Sequence, residues 1–193
     1  SNGAKLPTDE RLEHVADGEK DAPLAALEFQ FGRYLLISSS RPGGFPANLQ
    51  GLWAEEIQTP WNGDWHLDVN VQMNYWPVET TNLAECELPL TSLAESLVAP
   101  GAKTARAYYG AKGWIAHVIT NAWGYTSPGE DAVWGANNGG SGWLCGNLFE
   151  HWNFTKNRNY LERIYPWLRG PAEFYLDALV EEPPHHWLVT GVS

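Results

Sequence analysis

The chain has 193 residues, enough for one domain with a sizeable buried core. Hydrophobic residues make up 44% and charged residues 18%, which excludes a disordered polypeptide. A formal net charge of −11 argues against a nucleic-acid backbone or an anionic membrane as the main partner, and fits a neutral ligand.

Residues 1–22, "SNGAKLPTDERLEHVADGEKDA", read as a solvated lead-in with no apolar core of a signal peptide. No apolar run reaches the roughly 18 residues a membrane span needs. The next segment places Leu24, Leu27, Phe31, Tyr34 and Leu35 at helical spacing, with Pro23 in the first turn. Pro42, Gly43, Gly44 and Pro46 then exclude regular structure, and residues 47–70 read as a long loop dense in Gln, Asn, Asp and Trp. Such a segment inside a compact domain is usually functional.

A helix is expected to start within "VNVQMNYWPVE" and to end around Pro77. A longer one follows, with Leu90, Leu93, Ala94 and Leu97 on its buried face and a break near Pro100-Gly101. Residues 113–142 are again irregular, rich in Gly, Pro and Asn. Leu144, Leu148 and Trp152, four apart, mark the next helix. One or two more run through "NRNYLERIYPWLRGPAEFYLDALVEE", with joints at Pro166 and Pro171 and an end at Glu181-Glu182. The closing "WLVTGVS" is strand-like and fits a piece of a longer protein. The fold class is all-α, with residues 23–193 as the first portion of the domain; helical hairpins would pack round an axis, and loops at one end would line a pocket.

Cys86 and Cys145 stand far apart among apolar residues and read as two buried thiols rather than a disulfide or metal pair. The six histidines show no metal-ligand spacing and no Gly-rich loop follows a strand, so neither a metal nor a cofactor is implied. Eleven tryptophans are the compositional outlier. An indole can fill a core, or it can lie against the C–H face of a sugar.

The densest polar stretch is "HLDVNVQMNYWPVE", residues 66–79. If the chain before Val71 is extended, His66, Asp68 and Asn70 point the same way. Three polar groups on one face form either a structural tile or a ligand-reading edge. Gln72, Met73, Asn74 and Trp76 read as support from beneath.

"LPTDERL", "FQFGRYLLISSSRPGGFPANLQGLW", "GDWHLDVNVQMNYWPVETTNLAECELPL", "KTARAYYGAKGWIAH" and "YPWLRGPAEFYLDALVE" resemble glycoside hydrolase family 95 in sequence and order. The resemblance implies part of an (α/α)6 barrel, incomplete in this chain, from an α-L-fucosidase acting mainly on α-1,2-linked fucose. It implies a fucosylated glycan as partner, neither nucleic acid nor membrane, and an extracellular or periplasmic parent protein, a cytoplasmic one being the alternative. A related α-L-galactosidase and a non-catalytic fucosyl-glycan-binding module are the other readings.

The family inverts at the anomeric carbon, and its base side carries two asparagines two residues apart, polarised by an aspartate later in the barrel. By resemblance those positions are Asp68 and Asn70, the first a carboxylate here instead of an amide. Asp68 is therefore the candidate base-side group and Asn70 the residue that orients water. By resemblance His66 touches sugar hydroxyls. Trp123 and Tyr125, then Trp134 and more distantly His117, are the aromatic candidates from the second loop, while Glu130 and Asp131 read as solvated. The family's general acid falls just past Ser193, so the chain by itself is expected to be inactive; Glu181 and Glu182 are no substitutes.

Overall fold

The computed structural model describes residues 5–129, 131–183 and 185–190. Helices dominate: α1 (Thr8–Ala16), α2 (Ala22–Ser39), α3 (Asn70–Tyr75), α4 (Leu88–Thr104), α5 (Ala132–Gly135), α6 (Gly140–Thr155) and α7 (Arg158–Ala178). Two antiparallel ribbons accompany them, β1 (Trp65–His66) with β2 (Ile119–Thr120), and β3 (Val180–Glu182) with β4 (Trp187–Val189). The mainly α architecture expected from the sequence is present. Glu181 and Glu182 lie in β3, however, not at a helix end. Among the described residues no helix is long and apolar enough to cross a membrane.

The lead-in is not featureless, because α1 forms within it. Its side chains are exposed apart from Arg11, whose guanidinium forks onto Asp21 at 2.8 and 3.0 Å. Asp21 also caps α2, its carboxylate accepting from the Leu24 N–H at 3.0 Å. One side chain thus joins the lead-in to the first long helix. On α2 the apolar face differs from expectation. Leu24 and Leu36 are buried, while Leu27, Phe31, Tyr34 and Leu35 are exposed. The helix meets the core through Leu36 and Ile37 near its C-terminal end, which leaves the earlier apolar positions open to solvent.

The core sits between α3, α4, α6 and α7. Leu90, Leu93, Ala94 and Leu97 of α4 are buried, as the helical spacing predicts, and Leu144 and Leu148 of α6 meet them. α6 and α7 form a helical hairpin across a left-handed Lys156, and the Asn157 side chain caps α7 by accepting from the Tyr160 N–H at 3.2 Å.

Three expected breaks, in two helices, are absent. α4 runs through Pro100-Gly101, and the glycine lets a strand-like segment cross. The Ile115 N–H donates to Gly101 O at 3.2 Å, and a Cβ on Gly101 would stand 2.7 Å from Ile115 O. α7 likewise continues through Pro166 and Pro171 as one helix. A proline removes the bond to the carbonyl four residues back, which for Pro171 is Trp167. That carbonyl accepts instead from the buried Trp114 indole N–H at 3.0 Å. The lost helix bond becomes a tertiary one.

Trp114 lies directly on Gly170, where a Cβ would stand 2.3 Å from the indole Cδ1. Alanine in a helix normally stabilises relative to glycine by about 0.5–1 kcal/mol. Gly170→Ala should do the reverse, lowering stability by about 1–3 kcal/mol through overpacking. Gly146→Ala in α6, whose Cβ position meets open space, should show the ordinary gain. Thermal or urea unfolding of both variants checks the sign.

One buried acid stands out. Glu87, just before α4, is 2% exposed, and its Oε1 has no hydrogen-bond partner. Nearby Glu79 is bound to His151 Nδ1 at 2.6 Å. Burial pushes the Glu87 carboxyl well above its ordinary range, and the charge of Glu79 adds to the rise. The folded state holds this proton more tightly than the unfolded chain does. Its contribution to stability is therefore complete below the ordinary carboxylate pKa and is lost as pH rises towards the folded one. Glu87→Gln carries no such penalty. The melting temperature of the variant, relative to the parent, should climb from about pH 4 towards neutrality; a difference independent of pH would show an ionised Glu87.

Candidate active site

The 64–70 segment is held open by its neighbours. The Trp65 indole N–H donates to Pro46 O at 3.0 Å, and β1 pairs Trp65 with Thr120 and His66 with Ile119. The Leu67 N–H extends the pairing to Val118 O at 2.6 Å. From beneath, the buried Gln72 amide donates to Leu67 O at 2.7 Å. Alternation along an extended chain does the rest. Trp65 and Leu67 are buried, while Asp64, His66 and Asp68 line a cavity of about 440 Å³ with Trp61, Asn62, Val118, Ile119 and Trp134.

Asn70 does not join them. The chain turns at Val69 and Asn70 begins α3, so its side chain lines an adjoining cavity of about 430 Å³ with Leu49 and Gln50. Trp61 and His66 line both cavities. The structure therefore brings His66 and Asp68 to one cavity and Asn70 to a neighbouring one that His66 also lines.

His66 Nδ1 bonds the Asp64 carboxylate, both side chains being 12% exposed. Burial pushes the Asp64 carboxyl up, the His66 bond opposes that rise, and the negative charge of Asp68 adds to it. With Nδ1 taken, Nε2 is the ring nitrogen left to meet a ligand. Asp68 Oδ1 is buried with no hydrogen-bond partner. An unsatisfied carboxylate oxygen at a cavity wall is a place for a water, a proton or a ligand hydroxyl.

Trp134, on α5, lines the cavity that holds Asp68. Asp131, expected to be merely solvated, is exposed but caps this helix by accepting from the Val133 N–H at 2.7 Å. Glu130 lies outside the described residues. Trp123 and Tyr125 are not among the lining residues of either cavity. Trp123 is 90% exposed, and the Tyr125 hydroxyl donates to Pro128 O at 2.7 Å. His117 is fully buried, bonded through Nδ1 to Thr126 O at 2.7 Å and through Nε2 to the Tyr109 hydroxyl at 2.6 Å. Desolvation lowers its pKa, so a neutral ring donates to the carbonyl and accepts from the phenol. Both ring nitrogens are thereby committed within the protein. Of the residues expected beneath the site, Gln72 and Asn74 hold Leu67 O and Asn48 O, whereas Met73 and Trp76 are exposed.

Sequence reading missed Asp64, Trp61, Asn62 and Gln50. For Asp64 the signal was there, since Asp64, His66 and Asp68 follow the same two-residue period. The others come from a turn whose course the sequence does not specify.

A mainly helical domain whose irregular segments gather carboxylates, an imidazole, amides and indoles around two adjoining cavities presents a small-molecule site with room for a sugar ring. The glycosyl hydrolase family 95 catalytic domain matches residues 1–193, and the chain belongs to that family. It is 46% identical over 165 residues to Alpha-L-fucosidase 2 of Arabidopsis thaliana, covering 84% of this chain and 20% of the relative. It is 39% identical over 185 residues to Probable alpha-fucosidase A of Aspergillus niger, covering 94% and 23%. The chain thus spans about a fifth of the length of the curated relatives it matches.

The Asp64–His66 bond should fix the imidazole tautomer. In nitrogen-resolved NMR of the imidazole, wild-type His66 should keep its proton on Nδ1. Asp64→Ala should release a mixture of tautomers. An unchanged ring signal would show that Asp64 does not orient His66.

Proposed function

We propose that this chain forms the base-side wall of an α-L-fucosidase site that releases terminal fucose, preferentially α-1,2-linked, from glycans with inversion. The observation that carries the reading is the unpartnered, buried Asp68 Oδ1 beside an imidazole whose other nitrogen is already committed. The names of the Arabidopsis and Aspergillus relatives supply the sugar.

Inversion requires a base that activates water on the ring face opposite the leaving oxygen, and an acid that protonates that oxygen. Asp68 takes the water's proton, and Asn70, lining the neighbouring cavity, orients the water. His66 reads hydroxyls through Nε2. Val118, Ile119 and Trp134 form an apolar wall suited to the C6 methyl of fucose. Galactose carries a hydroxyl there, which this wall would leave unpaired, so the fucoside is favoured. Trp123 and Tyr125, on an exposed turn, are assigned to outer parts of the glycan. The acid is assigned to no residue of this chain, and the parent protein is placed with extracellular or periplasmic glycans.

The test is hydrolysis by the full-length protein of aryl α-L-fucoside, aryl α-L-galactoside and a 2′-fucosylated oligosaccharide. Asp68→Asn should lower kcat roughly 10²–10⁴-fold, the range typical of a lost general base. A drop under about threefold would remove Asp68 from proton transfer. Asn70→Ala should lower kcat more than it raises KM, because the water is held mainly for the transition state.

A further inference from the structure

The turn over Pro60–Gly63 holds three consecutive residues at positive φ: Trp61 at 50°, Asn62 at 58° and Gly63 at 58°. The left-handed region suits Gly63, but it is costly for a bulky aromatic residue and persists only where surroundings over-determine it. Here they do. The Asn62 N–H donates to Thr59 O at 3.0 Å, the Asp64 N–H to Trp61 O at 3.4 Å, and the Leu49 N–H to Asp64 O at 3.2 Å. The Gln50 amide donates to Pro60 O at 3.3 Å. A Cβ on Gly63 would stand 2.9 Å from Gln50 Oε1, so the turn is closed tightly against its neighbour.

This strain does not serve core packing. Trp61 remains 70% exposed. Its indole and the Asp64-bound imidazole are the two side chains that line both cavities, with Asp68 in one and Asn70 in the other. A rigidly tied turn that holds a large aromatic face out of the core, where two cavities of mixed polar and apolar lining meet, is a platform for a flat, partly apolar ligand. A sugar ring presents such a face through its C–H groups.

We propose that Trp61 is the stacking platform for the sugar ring, which lies against the indole where the cavities lined by Asp68 and by Asn70 meet. This assignment rests on the fucoside reading and goes beyond it. It places the principal aromatic contact on the 59–64 turn instead of the 113–142 loop, and it makes the backbone strain part of the binding device. Trp61 positions the substrate and takes no part in proton transfer.

The test uses the full-length protein with aryl α-L-fucoside and compares Trp61→Ala, Trp61→Phe and Trp61→Gly. Trp61→Ala should raise KM roughly 3- to 10-fold, the range of an aromatic contact, and leave kcat within about twofold. Trp61→Phe should recover most of the loss. Trp61→Gly should match alanine in KM while its melting temperature equals or exceeds the parent's, because glycine relieves the left-handed strain. Opposite movement of affinity and stability is something a purely structural tryptophan would not produce. Wild-type turnover with an unchanged KM in Trp61→Ala overturns this assignment alone, as does a lowered melting temperature in all three variants. Absence of wild-type turnover on any α-L-fucoside overturns the fucoside reading, and the platform with it.

Discussion

The site depends on a short antiparallel pairing between residues 65–67 and 118–120. Two paired residues in each strand and the bond from Leu67 to Val118 hold the 64–68 segment extended, where a loop or helix would otherwise be open to it. Extension puts Asp64, His66 and Asp68 on one side and sends Trp65 and Leu67 into the core. The pairing is itself clamped from α6. A Cβ on Gly140 would approach Ala116 O at 2.8 Å and Leu67 Cβ at 3.0 Å, so the start of that helix fits only around a glycine. Site geometry and helix packing are therefore one constraint.

Buried polar groups fall into two kinds. Some are fully matched, such as neutral His117 between a phenol and a carbonyl, or Ser40 between the Tyr75 hydroxyl and Cys86 O. These fix the packing of irregular segments, because each unmade bond would cost about 1–3 kcal/mol. Others are left open. Asp68 Oδ1 and Gln50 Oε1 are unmatched in residues that line the cavities. Glu87 is unmatched as well, at a cavity of about 380 Å³ lined also by Trp76, Glu79, Trp143, Asn147 and Glu150.

The helices show how a local signal can be overridden. Proline at 100, 166 and 171 reads as a stop, yet each lies inside a continuous helix. At Pro171 the reason is visible, since the freed Trp167 carbonyl is taken by Trp114. The aromatic that replaces the missing helix bond stands 53 positions earlier than its acceptor, beyond any local window. The exposed face of α2 is the same kind of case. Leu27, Phe31, Tyr34 and Leu35 carry the right period, but period alone does not say which face has a neighbour.

What the sequence determined by itself was the helical architecture, the buried stripe of α4, the two free buried thiols and the family. Each depends on residue type at short spacing, which survives without knowledge of the partner. It also pointed to His66 and Asp68, because a two-residue period becomes a shared face once the chain is extended. Only the tertiary structure decided that Asn70 belongs to a second cavity, that Asp64 holds the imidazole, and that Trp61 stands where the two cavities meet. Those outcomes turn on where α3 begins, on a left-handed turn at Trp61–Gly63, and on a strand contact some fifty residues distant. A helix start and a strained turn are settled by competition between hydrogen-bond partners, and the winning partners lie far away in the chain.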